Sequence, residues 1–230
     1  LKAYGLVDNV ALFPHGIFDH SPKVKARMNS KFIVASYGFF LPHKGLIELI
    51  EAVFLLKSEG FEMQLKMVNA EYPVAESAAT IASAWEIIDR YGLGDDITLY
   101  TSYLEEEASF NLLADADLVV FPYQETGESS SAAVRYGLAT RKPVAVTPLD
   151  IFEDVSGVVH ILPGPSPSEI AQGIMAIASR LKANDPDALT IQSTADIWRS
   201  QHYYSIVGER LHNMICALNQ ISTLVELENV

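Results

Sequence analysis

The sequence predicts a doubly wound α/β domain built on a parallel sheet, and three observations carry that expectation. Short segments that are apolar throughout, such as residues 31–37 and 117–122, alternate with stretches whose apolar residues recur at helical spacing. Strands without a polar face are covered on both sides, as crossover helices cover an all-parallel sheet. A chain of 230 residues, 49% hydrophobic and 20% charged, buries a sizeable core as one large domain or two small ones. No repeat, low-complexity segment or internal linker divides it.

Residues 10–17 read as a short extended piece ending in a turn. With the polar stretch around Pro22 they make an edge strand and connector over residues 1–30. Residues 31–37 form a buried strand closed by Gly38. After a loop through Pro42, residues 45–59 align Leu46, Leu49, Ile50, Val53 and Leu56 along an amphipathic helix. The alternation then repeats with a strand at 62–68, a helix at 75–91 that includes Trp85, and a short strand at 96–101 after Gly92-Leu93-Gly94. A helix at 104–114, a strand at 117–122, a helix at 130–140 and strands at 143–147 and 157–162 follow. Helix 166–183 opens on Ser-Pro-Ser-Glu, where Ser166 can cap, Pro167 takes the first helical position and Glu169 falls at the capping-box carboxylate.

Residues 31–185 thus form the sheet domain. Residues 186–220 are expected to pack back on it as helices through Trp198, Tyr203, Ile206, Leu211, Met214, Ile215 and Leu218, and 221–230 form a tail with no strong signal. Trp85 and Trp198 are assigned to the core, and Cys216, the single cysteine, reads as a small buried thiol.

Sixteen Lys and Arg against 29 Asp and Glu give a formal charge of −13. An acidic chain lacks the positive field that draws proteins to nucleic acid or bare anionic membrane. One cysteine makes no internal disulfide and fits the cytoplasm, and no apolar run reaches the ~20 residues of a transmembrane helix. The start, Leu1-Lys2-Ala3-Tyr4-Gly5, is not a signal peptide and has no initiator Met, so Leu1 reads as an internal position of a longer protein.

Doubly wound sheets bind ligands at the carboxyl ends of their strands, which places function in the loops after Ser36, Val68, Thr101, Phe121 and Val146. In the first loop, Gly38 lets backbone approach a ligand, and Lys44 adds a mobile charge beside a helix start, an arrangement suited to a diphosphate. The spacing is neither that of a Walker loop nor of G-x-G-x-x-G. In the loop after Phe121, Glu125, Gly127, Glu128, Ser129, Ser130 and Ser131 combine carboxylates for sugar hydroxyls with hydroxyls and amides for anionic oxygens. The same serines also read as a plain helix cap, with Ser129 or Ser130 as N-cap. The histidines and the cysteine match no metal-binding spacing, no G-x-S-x-G elbow occurs, and Glu105-Glu106-Glu107 reads as a dipole-favouring helix start.

In order, these pieces resemble the C-terminal, donor-binding half of the GT-B glycosyltransferases, in particular the retaining group known as family 4. Phe13-Pro14-His15-Gly16 is similar to the turn near the interdomain crossover, and residues 38–45 to the first-strand loop with its Lys-Gly pair. Residues 119–128 and 141–147 resemble the strand, acidic loop and G-K-P-V run, and the aromatic residues 198–204 the terminal segment. The resemblance implies a Rossmann-like domain binding a nucleotide-diphosphate sugar without a metal or other cofactor. It implies that Gly38, Lys44, Ser129, Ser130 and Ser131 face the donor diphosphate. Glu128, at the first glutamate of the E-x7-E motif, becomes the catalytic-site carboxylate on the donor sugar, with Glu125, Gly127, Arg135, Tyr136 and His43 as further sugar or nucleoside contacts. Three positions depart from the pattern: Phe39 replaces an arginine, Tyr136 the second glutamate, and Arg141 a glycine.

The expected activity is hexosyl transfer, with mannose as one candidate, to a saccharide or lipid-linked acceptor in polysaccharide assembly. An acceptor domain would precede Leu1, so the fragment alone would be inactive. The protein would work in the cytoplasm, where the rest of the polypeptide could bring it to the inner membrane. The alternative is a catalytically inactive domain of the same kind that binds a nucleotide sugar or a protein partner.

Overall fold

The computed structural model describes residues 11, 13–20 and 31–228, with side-chain environments described through Leu218. The connector read around Pro22 and the first ten residues lie outside the described residues.

Among the described residues six parallel strands make one sheet: β1 (Phe32–Phe39), β2 (Met63–Ala70), β3 (Ile97–Leu99), β4 (Leu118–Phe121), β5 (Val144–Val146) and β6 (His160–Ile161). Between and after them run α1 (Leu46–Ser58), α2 (Ala75–Arg90), α3 (Glu106–Ala114), α4 (Ala132–Ala139), α5 (Pro167–Lys182), α6 (Pro186–His202) and α7 (Tyr204–Glu228). Strand order is β3-β2-β1-β4-β5-β6. The chain winds outward from β1 on one side and, after returning through α3, outward from β4 on the other, so the order reverses between β1 and β4.

Alternate residues of the central strands enter two separate cores, because successive side chains point to opposite faces. Val34, Leu118 and Val120 join α1, α2 and α5 on one face, while Ile33, Ala35, Val119 and Phe121 pack under α4 and α6 on the other. Each face is apolar, which is why the strands show no polar alternation. Ser36 and Asn69, both about 1% exposed, answer each other across β1 and β2 with a 2.6 Å hydrogen bond from Ser36 Oγ. At the amino edge Asp96 is paired by Lys31 and Lys57. Its burial favours the neutral acid, but the hydrogen bonds from the two lysines outweigh that and hold its pKa below the usual carboxylate range.

The capping box of α5 forms as its local sequence requires, with Ser166 accepting from Glu169 N and Glu169 reaching back to Ser166 N. Elsewhere the structure corrects the expectation. Among the described residues 11 and 13–20, Ile17 makes an isolated bridge to Tyr203 and no strand joins the sheet, whose edges are β3 and β6. Residues 150–158 fold as 3₁₀ turns, which shortens the last strand to His160–Ile161. Trp85 lies on the outer face of α2 at 52% exposure, and Cys216 is exposed as well.

Helix α6 packs under the sheet through Ala195 and Trp198. Helix α7, however, does not: Ile206, Leu211, Ile215 and Leu218 are all exposed, and the helix runs to Glu228 through the segment without a strong sequence signal. Among the described residues, no helix is long and apolar enough to cross a membrane.

Candidate functional site

The carboxyl ends of β1 and β4 meet a cavity of about 430 Å³. Its floor and walls come from the end of β1, Lys44 beyond it, the end of β2, residues 102–104, Ser109 of α3 and the stretch from Tyr123 into α4. The position follows from the reversal of strand order, since helices leaving β1 and β4 diverge to opposite faces and open a crevice between them.

Gly38 closes β1 with φ at +131°, and a Cβ added there would stand 3.6 Å from Ala133. The backbone therefore lies directly against the start of α4. Beyond it a short 3₁₀ turn, Pro42–Lys44, leads into Gly45, which adopts φ +66° and caps α1. A Cβ on Gly45 would fall on the Pro122 carbonyl oxygen. Gln124 fastens the same junction: its N–H donates to His43 O at 2.9 Å, and its side-chain amide donates to Pro122 O and Pro165 O at 3.1 Å each. The two candidate loops are thus one rigid unit.

On that unit Lys44 Nζ lies 3.0 Å from Glu128 Oε2 and sits over the Tyr123 ring, 4.1 Å from its centroid. Glu128 Oε1 is 3.6 Å from His43 Nε2, a buried atom with no hydrogen-bond partner among the described residues. Burial, reinforced by the Lys44 charge, lowers the His43 pKa against the opposing pull of Glu128, so the imidazole is neutral at pH 7. Lys44 is therefore the cation that balances Glu128, and among the described residues these two are the only charged side chains lining the cavity.

Helix α4 points its N-terminus at the cavity, and its cap is Ser131, whose Oγ accepts from Val134 N. The close seat of α4 depends on Gly137, where a Cβ would stand 2.8 Å from the Phe121 ring. The unpaired amides of a helix start carry partial positive charge and favour anions. Tyr136, on α4 itself, stacks on Tyr37 at 4.7 Å and on Phe110 at 5.2 Å, and Tyr37 and Tyr136 both line the cavity. Burial raises the pKa of both phenols, with each other's proximity adding to Tyr37, so both stay protonated near neutrality and offer hydroxyls without charge.

The chain is 26% identical over 129 residues to an uncharacterized glycosyltransferase, YqgM, of Bacillus subtilis, a match covering 55% of this chain and 33% of that protein. No family model matches. Sucrose-phosphate synthase of Thermosynechococcus elongatus superposes with a TM-score of 0.71 at 16% identity, covering 96% of this chain and 56% of the synthase. HepE of Anabaena, in complex with UDP and glucose, gives a TM-score of 0.66 at 17% identity over 81% of this chain and 48% of that one. The fold is that of a GT-B glycosyltransferase domain. The chain spans about a third of the length of the curated relative and about half that of these solved structures.

The cavity gathers Gly38, Lys44, Glu128, Ser130, Ser131 and Tyr136 from the residues singled out in the sequence. Ser129, Glu125 and Gly127 do not line it, and His43 reaches it only through Glu128. Arg135 turns away: its guanidinium pairs with Asp154 and donates to Ser131 O at 2.7 Å, holding the base of α4 at 3% exposure. The N-cap is Ser131, neither Ser129 nor Ser130. Lys44 precedes α1, and its side chain is only 13% exposed. Phe39 lies at the cavity rim against Tyr72, with ring centroids 4.9 Å apart.

Tyr37, Tyr103 and Tyr123 also line the cavity and were not singled out. Their signal was positional: each sits one to three residues from a strand end that the switch-point rule marks as functional.

Proposed function

We propose that this chain is the nucleotide-sugar-binding domain of a retaining glycosyltransferase. The observation that supports it best is the cavity at the β1/β4 reversal, where Lys44 and the N-terminus of α4 converge on one space. A nucleoside diphosphate would place its phosphates between them, matched by the ammonium and the helix amides in a chain otherwise at −13. Glu128 would turn to the hydroxyls of the donor sugar. HepE, which shares the fold, binds UDP and glucose.

In this reading the leaving diphosphate is stabilised by Lys44 and backbone N–H groups, without a metal, as the sugar passes through an oxocarbenium-like state. The transferred group is a hexose, mannose being one candidate, and the acceptor a saccharide or lipid-linked saccharide held by a second domain. The setting is cytoplasmic, with the membrane approached through other parts of the protein.

A second reading is favoured by one observation: among the described residues lining the cavity Glu128 is the only carboxylate, and Tyr136 stands where the resemblance leads one to expect a second. It makes the domain a nucleotide-sugar or protein-partner binder without transfer activity. Calorimetric titration with GDP, UDP and dTDP tests the shared premise, with Lys44→Ala as control. Micromolar binding of one nucleotide that Lys44→Ala weakens supports the site, and absence of binding to all of them rejects it. Transfer assays on the full-length protein, with and without Glu128→Ala, separate the two readings.

A further inference from the structure

We propose that Tyr123 is a positioning residue for the diphosphate subsite, its ring setting the Lys44 ammonium and its hydroxyl setting the cap of α4; this rests on the nucleotide-sugar reading above.

Tyr123 follows β4 and is 2% exposed, an unusual depth for a phenol at a ligand cavity. Its neighbours fix it. The ring packs at 5.0 Å on Phe152 and edge-on at 6.3 Å on Phe121, and its carbonyl accepts from Thr147 Oγ1 at 2.7 Å. One end of this clamped side chain meets Lys44, 4.1 Å above the ring. The other meets Ser131, with the two hydroxyl oxygens 3.2 Å apart.

A lysine has four rotatable bonds, and a strongly hydrated ammonium above an open cavity would sample many of their states. The negative face of an aromatic ring holds a cation without using any of its N–H donors. Glu128 takes one donor, so an ammonium seated on the ring keeps others for an anion. A ring face already covered by Lys44 cannot stack on a nucleobase, so its contribution runs through the lysine. Through Ser131 the same residue fixes where the α4 amides begin, and the two anion-binding elements are registered against each other by one side chain.

The test compares Tyr123→Phe with Tyr123→Met, which fills the space without a ring. The readout is the ratio of affinities for a nucleoside diphosphate and its nucleoside, using whichever of GDP, UDP and dTDP binds the wild-type chain most tightly. Tyr123→Phe should keep most of that ratio and Tyr123→Met should lower it about fivefold to tenfold, with nucleoside affinity unchanged. In a Lys44→Met background, Tyr123→Met should add no more than the small effect of Tyr123→Phe, because only the contact to Ser131 is left to lose.

A loss of nucleoside affinity equal to that of the diphosphate, or the same loss with and without Lys44, would reduce Tyr123 to a packing residue and overturn the proposal. Should the Met variant not fold, the wild-type protein decides by NMR: the ε-methylene protons of Lys44 must be shifted upfield by the ring, and ordinary shifts overturn the proposal. Wild-type protein that binds none of the nucleotides rejects the functional reading itself. Binding that Tyr123→Met leaves intact rejects only the role of Tyr123.

Discussion

Lys44 and Glu128, 84 positions apart in the chain, meet at 3.0 Å in the cavity, so the cation best placed to hold a diphosphate is already matched by a carboxylate. An incoming anion competes with Glu128 for that ammonium. Glu128→Gln removes the competing charge and keeps the shape. Because the carboxylate is 49% exposed, the pair is weak, and the gain in nucleoside diphosphate affinity should be modest, up to about fivefold. Lys44→Ala should change affinity in the opposite direction. Calorimetry at low ionic strength measures both, and weaker binding by Glu128→Gln would show that Glu128 is not in the anion's way.

What the sequence revealed was what its local pattern determines. Ile33, Val34, Leu118 and Val119 lack a polar face because each strand feeds two cores, and that apolar run is readable without knowing the partners. The box of Ser166 and Glu169 is likewise legible, since its partners are three residues apart. Choices among distant partners were not. Three successive serines offer equal caps until Gly137 and Phe121 set where α4 sits, and Arg135 was decided by Asp154, 19 residues away. Helical spacing marks the apolar residues of α7 as a face, but spacing does not say what covers it. Tyr123 was visible as a residue and silent as a function, because its meaning lies in Lys44 above it.

Arg141, where the resemblance leads one to expect glycine, adopts φ +62°. A side chain in this left-handed region costs about 1–2 kcal/mol, part of which glycine returns through the greater entropy of its unfolded chain. The compensating contact, Arg141 to Asp19 at 3.7 Å, joins two exposed groups and contributes little. Arg141→Gly should therefore stabilise the domain by about 0.5–1 kcal/mol in urea denaturation. A lower stability would assign Arg141 a contact worth more than its backbone strain.

His160 on β6 is held below its ordinary pKa by burial and, secondarily, by the charge of Arg180. The unfolded chain takes up a proton near pH 6.5 that the folded chain refuses until lower pH, so the unfolded state binds more protons in that interval. Stability should fall as pH drops below about 6.5, at up to about 1.4 kcal/mol per pH unit from this group. His160→Gln should flatten that limb of the melting-temperature profile. A profile with the same slope in the variant would place the titration elsewhere.

Gly45 and Gly60 separate two costs that a glycine substitution usually mixes. Both adopt left-handed φ, +66° and +79°, so replacement by Ala strains the backbone in either case. Around Gly60, however, an added Cβ meets nothing within 4 Å, whereas at Gly45 it lands on the Pro122 carbonyl. Gly60→Ala should cost about 1 kcal/mol, the conformational term alone. Gly45→Ala should cost more, by roughly 1–3 kcal/mol, because the 42–45 turn and the strand exit at 122–124 must move apart. That separation carries Lys44 away from Tyr123 and the α4 N-terminus, so nucleoside diphosphate affinity should fall in Gly45→Ala and stay unchanged in Gly60→Ala. Equal denaturation midpoints for the two variants would show that the loops are not held by this contact, and unchanged nucleotide binding in a destabilised Gly45→Ala would show that Lys44 does not depend on it.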